Sequence, residues 1–366
     1  MIPFINYISE HGHTFKDNMK DAGHRETIDA TLRFEKTDRT PVNNFALVTA
    51  ARSAGIMVKD ARYEPKVSAK VSVDYAIKTK SDFVKPVVDS QIVFLDMGMD
   101  VQMPDDDYGR VRSKYINDLS EVDDLAFFDP SKASECPHFD LCILQALKET
   151  AAYLPEDLHI CGLSWGPIST AGYLMGTEDM LMSIMMGEEE AVNKLIQKCA
   201  VFIADQEKAQ VDAGASLMWM ADPTSSEDLI SPDMFGLSLA GIKTAIDGVK
   251  KAYDVPAFLH VCGNTTDLIP LVRDTGAECL SFDHAVDPTV ARKAAGNRLA
   301  LMGNIDPVAY IMNGKPDAIK QKCFDIIEAC GADGGFILAP GCETPISSPD
   351  ANVIAMGEAG TDYWSR

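Results

Sequence analysis

Eight short apolar segments recur along the chain with helical stretches between them, at 42–46, 83–88, 158–163, 216–221, 257–261, 279–283, 299–302 and 336–339. Runs this short, bounded by turn residues, have the length of buried parallel strands. The gaps carry helix signals: Pro316 opens and Gly331 follows a helix expected over 317–330, and Gly214 closes a long stretch over 188–212. Strand and helix in alternation require a parallel sheet, and eight such units predict an α/β chain folded as a (β/α)8 TIM barrel. An amphipathic helix over 25–35 belongs to an N-terminal helical segment (1–40), and Asp38-Arg39-Thr40-Pro41 then launches the first strand. Between the second and third strands, 92–135 reads as an insertion, in which the turn Asp105-Asp106-Asp107-Tyr108-Gly109 marks a β-hairpin. No linker, repeat or low-complexity tract divides the chain, so 1–366 is expected to form a single barrel domain.

Charge narrows the partners. The 55 acidic against 33 basic side chains give a formal net charge of −22, a field that repels phosphate backbones and anionic membranes. Nucleic acid and membrane are therefore excluded as expected partners. The apolar stretch at 2–8 lacks a basic flank and is short for a signal peptide, and no run approaches the roughly 18 apolar residues of a membrane span. Nine scattered cysteines, an odd number, do not form a disulfide framework and point to a reducing cytoplasm.

The polar residues at the strand ends carry the chemistry. In the fifth strand Leu259 and Val261 suit the helix side, which turns Phe258, His260 and Cys262 inward. The i, i+2 spacing sets His260 and Cys262 on one face, about 6.5 Å apart along the strand. In the sixth strand Ser281 and Asp283 point inward by the same argument, making Asp283 a candidate fourth ligand. In the fourth, Met218, Met220 and Asp222 share a parity that is expected to bring Asp222 to the mouth. Cys342 arrives on the loop after the last strand, shaped by Pro340 and Gly341. A lone His or Cys at a strand end is more often packed than metal-bound; His-x-Cys on one face with a Gly-flanked Cys after strand eight reverses that. One imidazole and two thiolates favour zinc over oxygen-seeking magnesium or calcium, and three ligands leave a position open for catalysis. Cys136, Cys142, Cys161, Cys199, Cys279, Cys323 and Cys330 read as buried or incidental thiols, and the Met-rich stretch 175–186 as core.

The motifs Asp38-Arg39-Thr40-Pro41-Val42, Gly166-Pro167-Ile168-Ser169, Ala221-Asp222-Pro223, Leu259-His260-Val261-Cys262-Gly263-Asn264, Met302-Gly303-Asn304 and Leu338-Ala339-Pro340-Gly341-Cys342 resemble the uroporphyrinogen decarboxylase superfamily. Within it, the sequence is most similar to the zinc-dependent methylcobamide:coenzyme M methyltransferase branch. The resemblance implies zinc held by His260, Cys262 and Cys342, with Asp283 at the position of an acidic residue that occupies the metal when substrate is absent. It implies a methyl group moved between the cobalamin of a small corrinoid protein and a small substrate, a thiol such as coenzyme M. Asp222 and Asn264 would bind and position what enters the site. Run on methoxylated aromatics, the same ligands would serve a corrinoid-dependent O-demethylase. The decarboxylase branch carries an Arg-rich N-terminal motif, whereas 43–52 here reads Asn-Asn-Phe-Ala-Leu-Val-Thr-Ala-Ala-Arg, with one arginine.

Overall fold

The structure is a computed structural model describing residues 23–366 apart from 88, 155, 156 and 332, so the expectations for 1–22 lie outside the described residues. The strands are β1 (Phe83–Val84), β2 (Val101–Gln102), β3 (Arg110–Val111), β4 (His159–Trp165), β5 (Leu217–Ala221), β6 (Ala257–Val261), β7 (Cys279–Phe282), β8 (Ala300–Ile305) and β9 (Phe336–Pro340). Seven of them form one parallel sheet in the order β1-β4-β5-β6-β7-β8-β9. Its two edges meet through Val42, which bridges Leu338 of β9 in parallel. Leu338 N donates to Pro41 O and Asn43 N to Leu338 O, while Asp82 N, at the head of β1, donates to Val42 O. The α/β barrel thus closes with its first strand reduced to a bridge.

The strand expected over 42–46 stops there for a local reason. The side-chain oxygens of Asn43 and Asn44 accept from Phe45 N and Ala46 N, a pairing that competes with a sheet ladder, and Phe45 takes φ 39°. The expected strand over 83–88 likewise ends at Val84, because Pro86 has no N–H to contribute. The other six stay within two residues of expectation at the start and three at the end.

Helices fill the gaps as the sequence requires, among them His24–Leu32, Glu189–Asp212 and Pro316–Cys330. The insertion contains the expected hairpin, with β2 and β3 antiparallel around the Asp-rich turn. Arg62 pins it: the guanidinium, almost fully buried, donates to Pro104 O (2.8 Å) and Asp107 O (2.5 Å) and pairs with Asp89 (3.0 Å), which also accepts from Gly109 N. The stretch 175–186 departs from the expectation of core. Met175 and Met180 are buried, but Met182, Met185 and Met186 at the end of the helix Thr177–Met185 are exposed.

On the barrel axis Phe83, Trp219 and Phe258 pack with ring centroids 5.9–6.3 Å apart. Burial of each ring contributes roughly 1.5–3 kcal/mol. Trp219 is in register with Phe258, and Met218 with Ala257, so β5 turns Trp219 inward and Met218 and Met220 toward the helices. That corrects the parity expected for the fourth strand. A Cβ on Gly162, across from Met218, would meet the Met218 side chain and Gln210 of the Glu189–Asp212 helix, which places that face outside the barrel.

Candidate metal centre

β6 delivers its polar residues as expected. Leu259 and Val261 are fully buried, and His260 lies on the axis side in register with Ser281 of β7. Cys262 follows at the mouth, where the chain turns sharply at Gly263 (φ 75°). A side chain there would put its Cβ 2.2 Å from Asp228 Oδ2 and 2.7 Å from Ser226 Oγ. The second thiol comes from the loop after β9. Gly341 N donates to Ile305 O, extending the ladder by one bond, and a Cβ at 341 would lie 2.4 Å from His284 N. Only glycine lets the loops after β9 and β7 touch this closely, and the contact carries Cys342 to Cys262.

The result is a compact donor set. His260 Nε2 lies 3.0 Å from Cys262 Sγ, which lies 3.3 Å from Cys342 Sγ, and the three ligand atoms all fall within 4.8 Å of one another. Behind them, His260 Nδ1 is 2.9 Å from Ser281 Oγ. With Nδ1–H donating to that hydroxyl, Nε2 keeps its lone pair for the cluster. The two thiols share a proton. The hydrogen bond from Cys262 holds Cys342 below the usual thiol range, while Cys262 is pushed up by that hydrogen bond, by burial and by the charges of Cys342, Asp283 and Glu343. Two thiolates in contact repel each other, so loss of both protons is unfavourable without a cation between them. A divalent cation removes that penalty, and one imidazole with two thiolates suits a borderline-soft ion.

The other expected site residues separate. Asp283 stands beside the cluster, its charge felt by Cys262, but its Oδ1 accepts from Ala285 N (3.0 Å) and faces His284 Nδ1 (2.7 Å), and it lies outside the three-residue group. Asn304 braces that loop by donating to Asp283 O and Val286 O. Asp222 does not reach the mouth. Fully buried under the helix Pro167–Met175, it accepts from Ser169 N (2.9 Å), and its carboxyl, raised to about 6 by burial, lies where a side chain at Gly166 would clash. It caps a helix whose Gly-Pro start offers no cap of its own. Asp222→Ala is expected to lower stability by about 0.5–2 kcal/mol while leaving metal content intact, read by thermal melts and metal analysis. Asn264 is committed to its own loop: the amide nitrogen donates to Glu227 and the oxygen accepts from Thr266 N and Oγ1, so the expected substrate contact gains no support from its geometry.

Three residues that the sequence reading passed over also line the centre. Glu343, next to Cys342, accepts from the Tyr108 hydroxyl of the hairpin. Burial raises its carboxyl to about 8 against the lowering pull of Tyr108 and Lys85. Lys85, one residue beyond β1, is buried at the barrel axis with its ammonium over the rings of Trp219 (3.4 Å) and Phe45 (4.1 Å). The hairpin turn was visible in the sequence; its partner 235 residues away was not.

The parallel β/α barrel brings three side chains that could hold a metal ion, His260, Cys262 and Cys342, to its C-terminal mouth, the face where barrel enzymes keep their active sites. The uroporphyrinogen decarboxylase (URO-D) family profile matches residues 24–363, and the chain belongs to that family. Methylcobamide:CoM methyltransferase MtbA of Methanosarcina acetivorans is 31% identical over 221 residues, 60% of this chain and 63% of that protein. A methylated-thiol–coenzyme M methyltransferase of Methanosarcina mazei is 26% identical over 230 residues, 63% of this chain and 60% of that one. Both alignments span under two thirds of the relative's length. A solved methyltransferase from Methanosarcina mazei shares the fold with a TM-score of 0.79 at 23% identity, covering 93% of this chain and 99% of that one.

Proposed function

We propose that the chain is a zinc-dependent corrinoid methyltransferase that moves a methyl group between the cobalamin of a small corrinoid protein and a small thiol. Coenzyme M is the acceptor named for its relatives. The observation that carries this reading is the convergence of His260 Nε2, Cys262 Sγ and Cys342 Sγ at the barrel mouth. When bound, zinc supplies a Lewis acid that holds a thiol as its nucleophilic thiolate near neutral pH. Every other task falls to side chains. Cys262 and Cys342 offset the two positive charges, and Ser281 fixes the tautomer of His260 so that Nε2 serves as a ligand. Asp283 keeps a carboxylate at the edge of the cluster, and Tyr108 ties the hairpin to the residue after Cys342.

The free state of all nine cysteines and the lack, among the described residues, of any helix long and apolar enough to cross a membrane fit a cytoplasmic site of action. A decarboxylase is disfavoured by the segment after Val42. Its single arginine, Arg52, is turned to Ser348 O and Asp350, and the amides of Asn43 and Asn44 are tied to Ser81 and Thr79, so the segment offers no cation for substrate carboxylates.

The test follows the cobalamin spectrum of the zinc-loaded protein mixed with methylcobalamin and coenzyme M, with methoxyarenes plus Co(I) cobalamin and uroporphyrinogen as separate arms. Loss of the methylcobalamin bands that requires both zinc and thiol is the expected result; turnover confined to either other arm would overturn it. Ser281→Ala is expected to weaken zinc binding about 10–100-fold in chelator competition, by freeing the His260 ring. Unchanged affinity would remove Ser281 from this account.

A further inference from the structure

Cys262 and Cys342 differ from the other seven thiols in access as well as in company. Cys136, Cys142, Cys161, Cys199, Cys279, Cys323 and Cys330 are buried, whereas these two are partly exposed at the barrel mouth. Two of the buried thiols donate to backbone carbonyls, Cys136 to Lys132 O (3.3 Å) and Cys330 to Pro288 O (3.0 Å). Cys262 and Cys342 instead touch each other, sulfur to sulfur, at 3.3 Å. A covalent S–S bond lies only about 1 Å further in.

The chain around them can supply that movement. Cys262 is the first residue beyond β6 and precedes the turn at Gly263, and Cys342 sits in the loop beyond β9. Closure needs rotation of two side chains and a small shift of two loop ends, while the strand ladders stay in place. Accessible thiols with a second thiol beside them oxidise reversibly, because the second sulfur resolves the first. Ligation and a disulfide exclude each other here: a metal takes thiolates, and a sulfur bonded to sulfur carries no such charge. Of the three donors, only His260 would then remain.

We propose that Cys262 and Cys342 are a reversible disulfide site that switches metal binding off, making the centre responsive to thiol redox state. This rests on the metal-centre reading above and adds regulation to it. The oxidant is a low-molecular-weight disulfide. One cysteine, as thiolate, attacks it, forming a mixed disulfide and releasing one small thiolate; the second cysteine then attacks the sulfur of the first, breaking the mixed S–S bond and releasing the other. The protein gives up two electrons and two protons, and one small disulfide becomes two small thiols.

The test equilibrates the metal-free protein with 2-hydroxyethyl disulfide, which is neutral and so is not repelled by the net charge of −22. Free thiols counted after acid quenching in denaturant should fall from nine to seven. The intact mass should drop by about 2 Da with no adduct retained, and peptide mapping should join Cys262 to Cys342. The oxidised protein should bind zinc at least ~100-fold more weakly in chelator competition, and dithiothreitol should restore the affinity. In the zinc-loaded protein, metal release read with a chromogenic chelator should keep step with loss of the two thiols. Cys342→Ser lacks the resolving sulfur, so a mixed disulfide should persist on Cys262. A stable adduct on the wild-type protein, a cross-link to any other cysteine, or nine thiols remaining overturns the proposal. So does a disulfide-bonded protein that keeps its zinc affinity. These outcomes are read on wild-type protein and decide the matter even if the variant fails to fold. Methyl transfer from methylcobalamin is assayed separately on reduced, zinc-loaded protein. Its absence refutes the methyltransferase reading and leaves the disulfide result standing, while normal transfer with no disulfide formed refutes this proposal alone.

Discussion

Cys342→Ala should abolish both metal and chemistry. Losing one of three ligands removes a thiolate that offsets the cation, and leaves Cys262 and His260, two residues apart on one strand end, as a bidentate pair. Zinc affinity is expected to fall at least ~10³-fold, beyond the 10–100-fold typical of losing a partner behind a ligand. Methyl transfer from methylcobalamin should fall with it to background. The fold should survive, because Cys342 is partly exposed on a loop after β9. Zinc content after dialysis, circular dichroism and the cobalamin assay read the three consequences separately. Cys323→Ala is the matched control: that thiol is fully buried in the helix Pro316–Cys330, and its loss should leave zinc content unchanged. Equal loss of zinc in both variants would show that the effect is not ligation.

Gly341→Ala should produce a comparable loss from a residue that contributes no ligand atom. The added Cβ would fall 2.4 Å from His284 N and 3.0 Å from Asp283 C, both backbone atoms with no rotamer to yield. The loops after β7 and β9 must part, and Cys342 moves with them. Steric overpacking of this kind costs about 1–3 kcal/mol. More diagnostic is the expected drop in zinc affinity of at least ~10-fold together with a lower melting temperature, since Sγ positions must hold to a few tenths of an ångström for tetrahedral ligation. A variant that keeps full zinc affinity would show that the loop contact does not position Cys342.

How far the sequence reaches is clearest at β6. Its boundaries match expectation, and the period of two places His260 and Cys262 together because Leu259 and Val261 are unambiguous helix-side residues. β5 shows where that reasoning fails. Leu217, Met218, Trp219 and Met220 are all apolar and all buried, so a parallel strand covered on both faces carries no alternation to read. Trp219 took the axis, and Asp222 went with the outer face to cap a helix. Asp283 was placed on the correct side, but parity says nothing of reach, and its carboxylate is engaged with Ala285 N and His284. Lys85, Tyr108 and Glu343 were passed over for a different reason. Charged and hydroxylated residues ordinarily read as surface; here Tyr108 and Glu343 meet through a contact between the hairpin and a loop far along the chain, and Lys85 is buried among the aromatic rings of the barrel. The shortened first strand was legible in principle, since consecutive asparagines readily turn their side chains onto the backbone.

Zinc-edge X-ray absorption on the purified protein, with the metal content measured on the same sample, tests the central claim most directly. The account predicts about one zinc per chain, with two sulfur scatterers near ~2.3 Å and the remaining nitrogen or oxygen scatterers near ~2.0–2.1 Å. It further predicts that adding a thiol substrate raises the sulfur count to three. A shell of four sulfurs without substrate, a shell of nitrogen and oxygen alone, or a first shell that thiol leaves unchanged would contradict it.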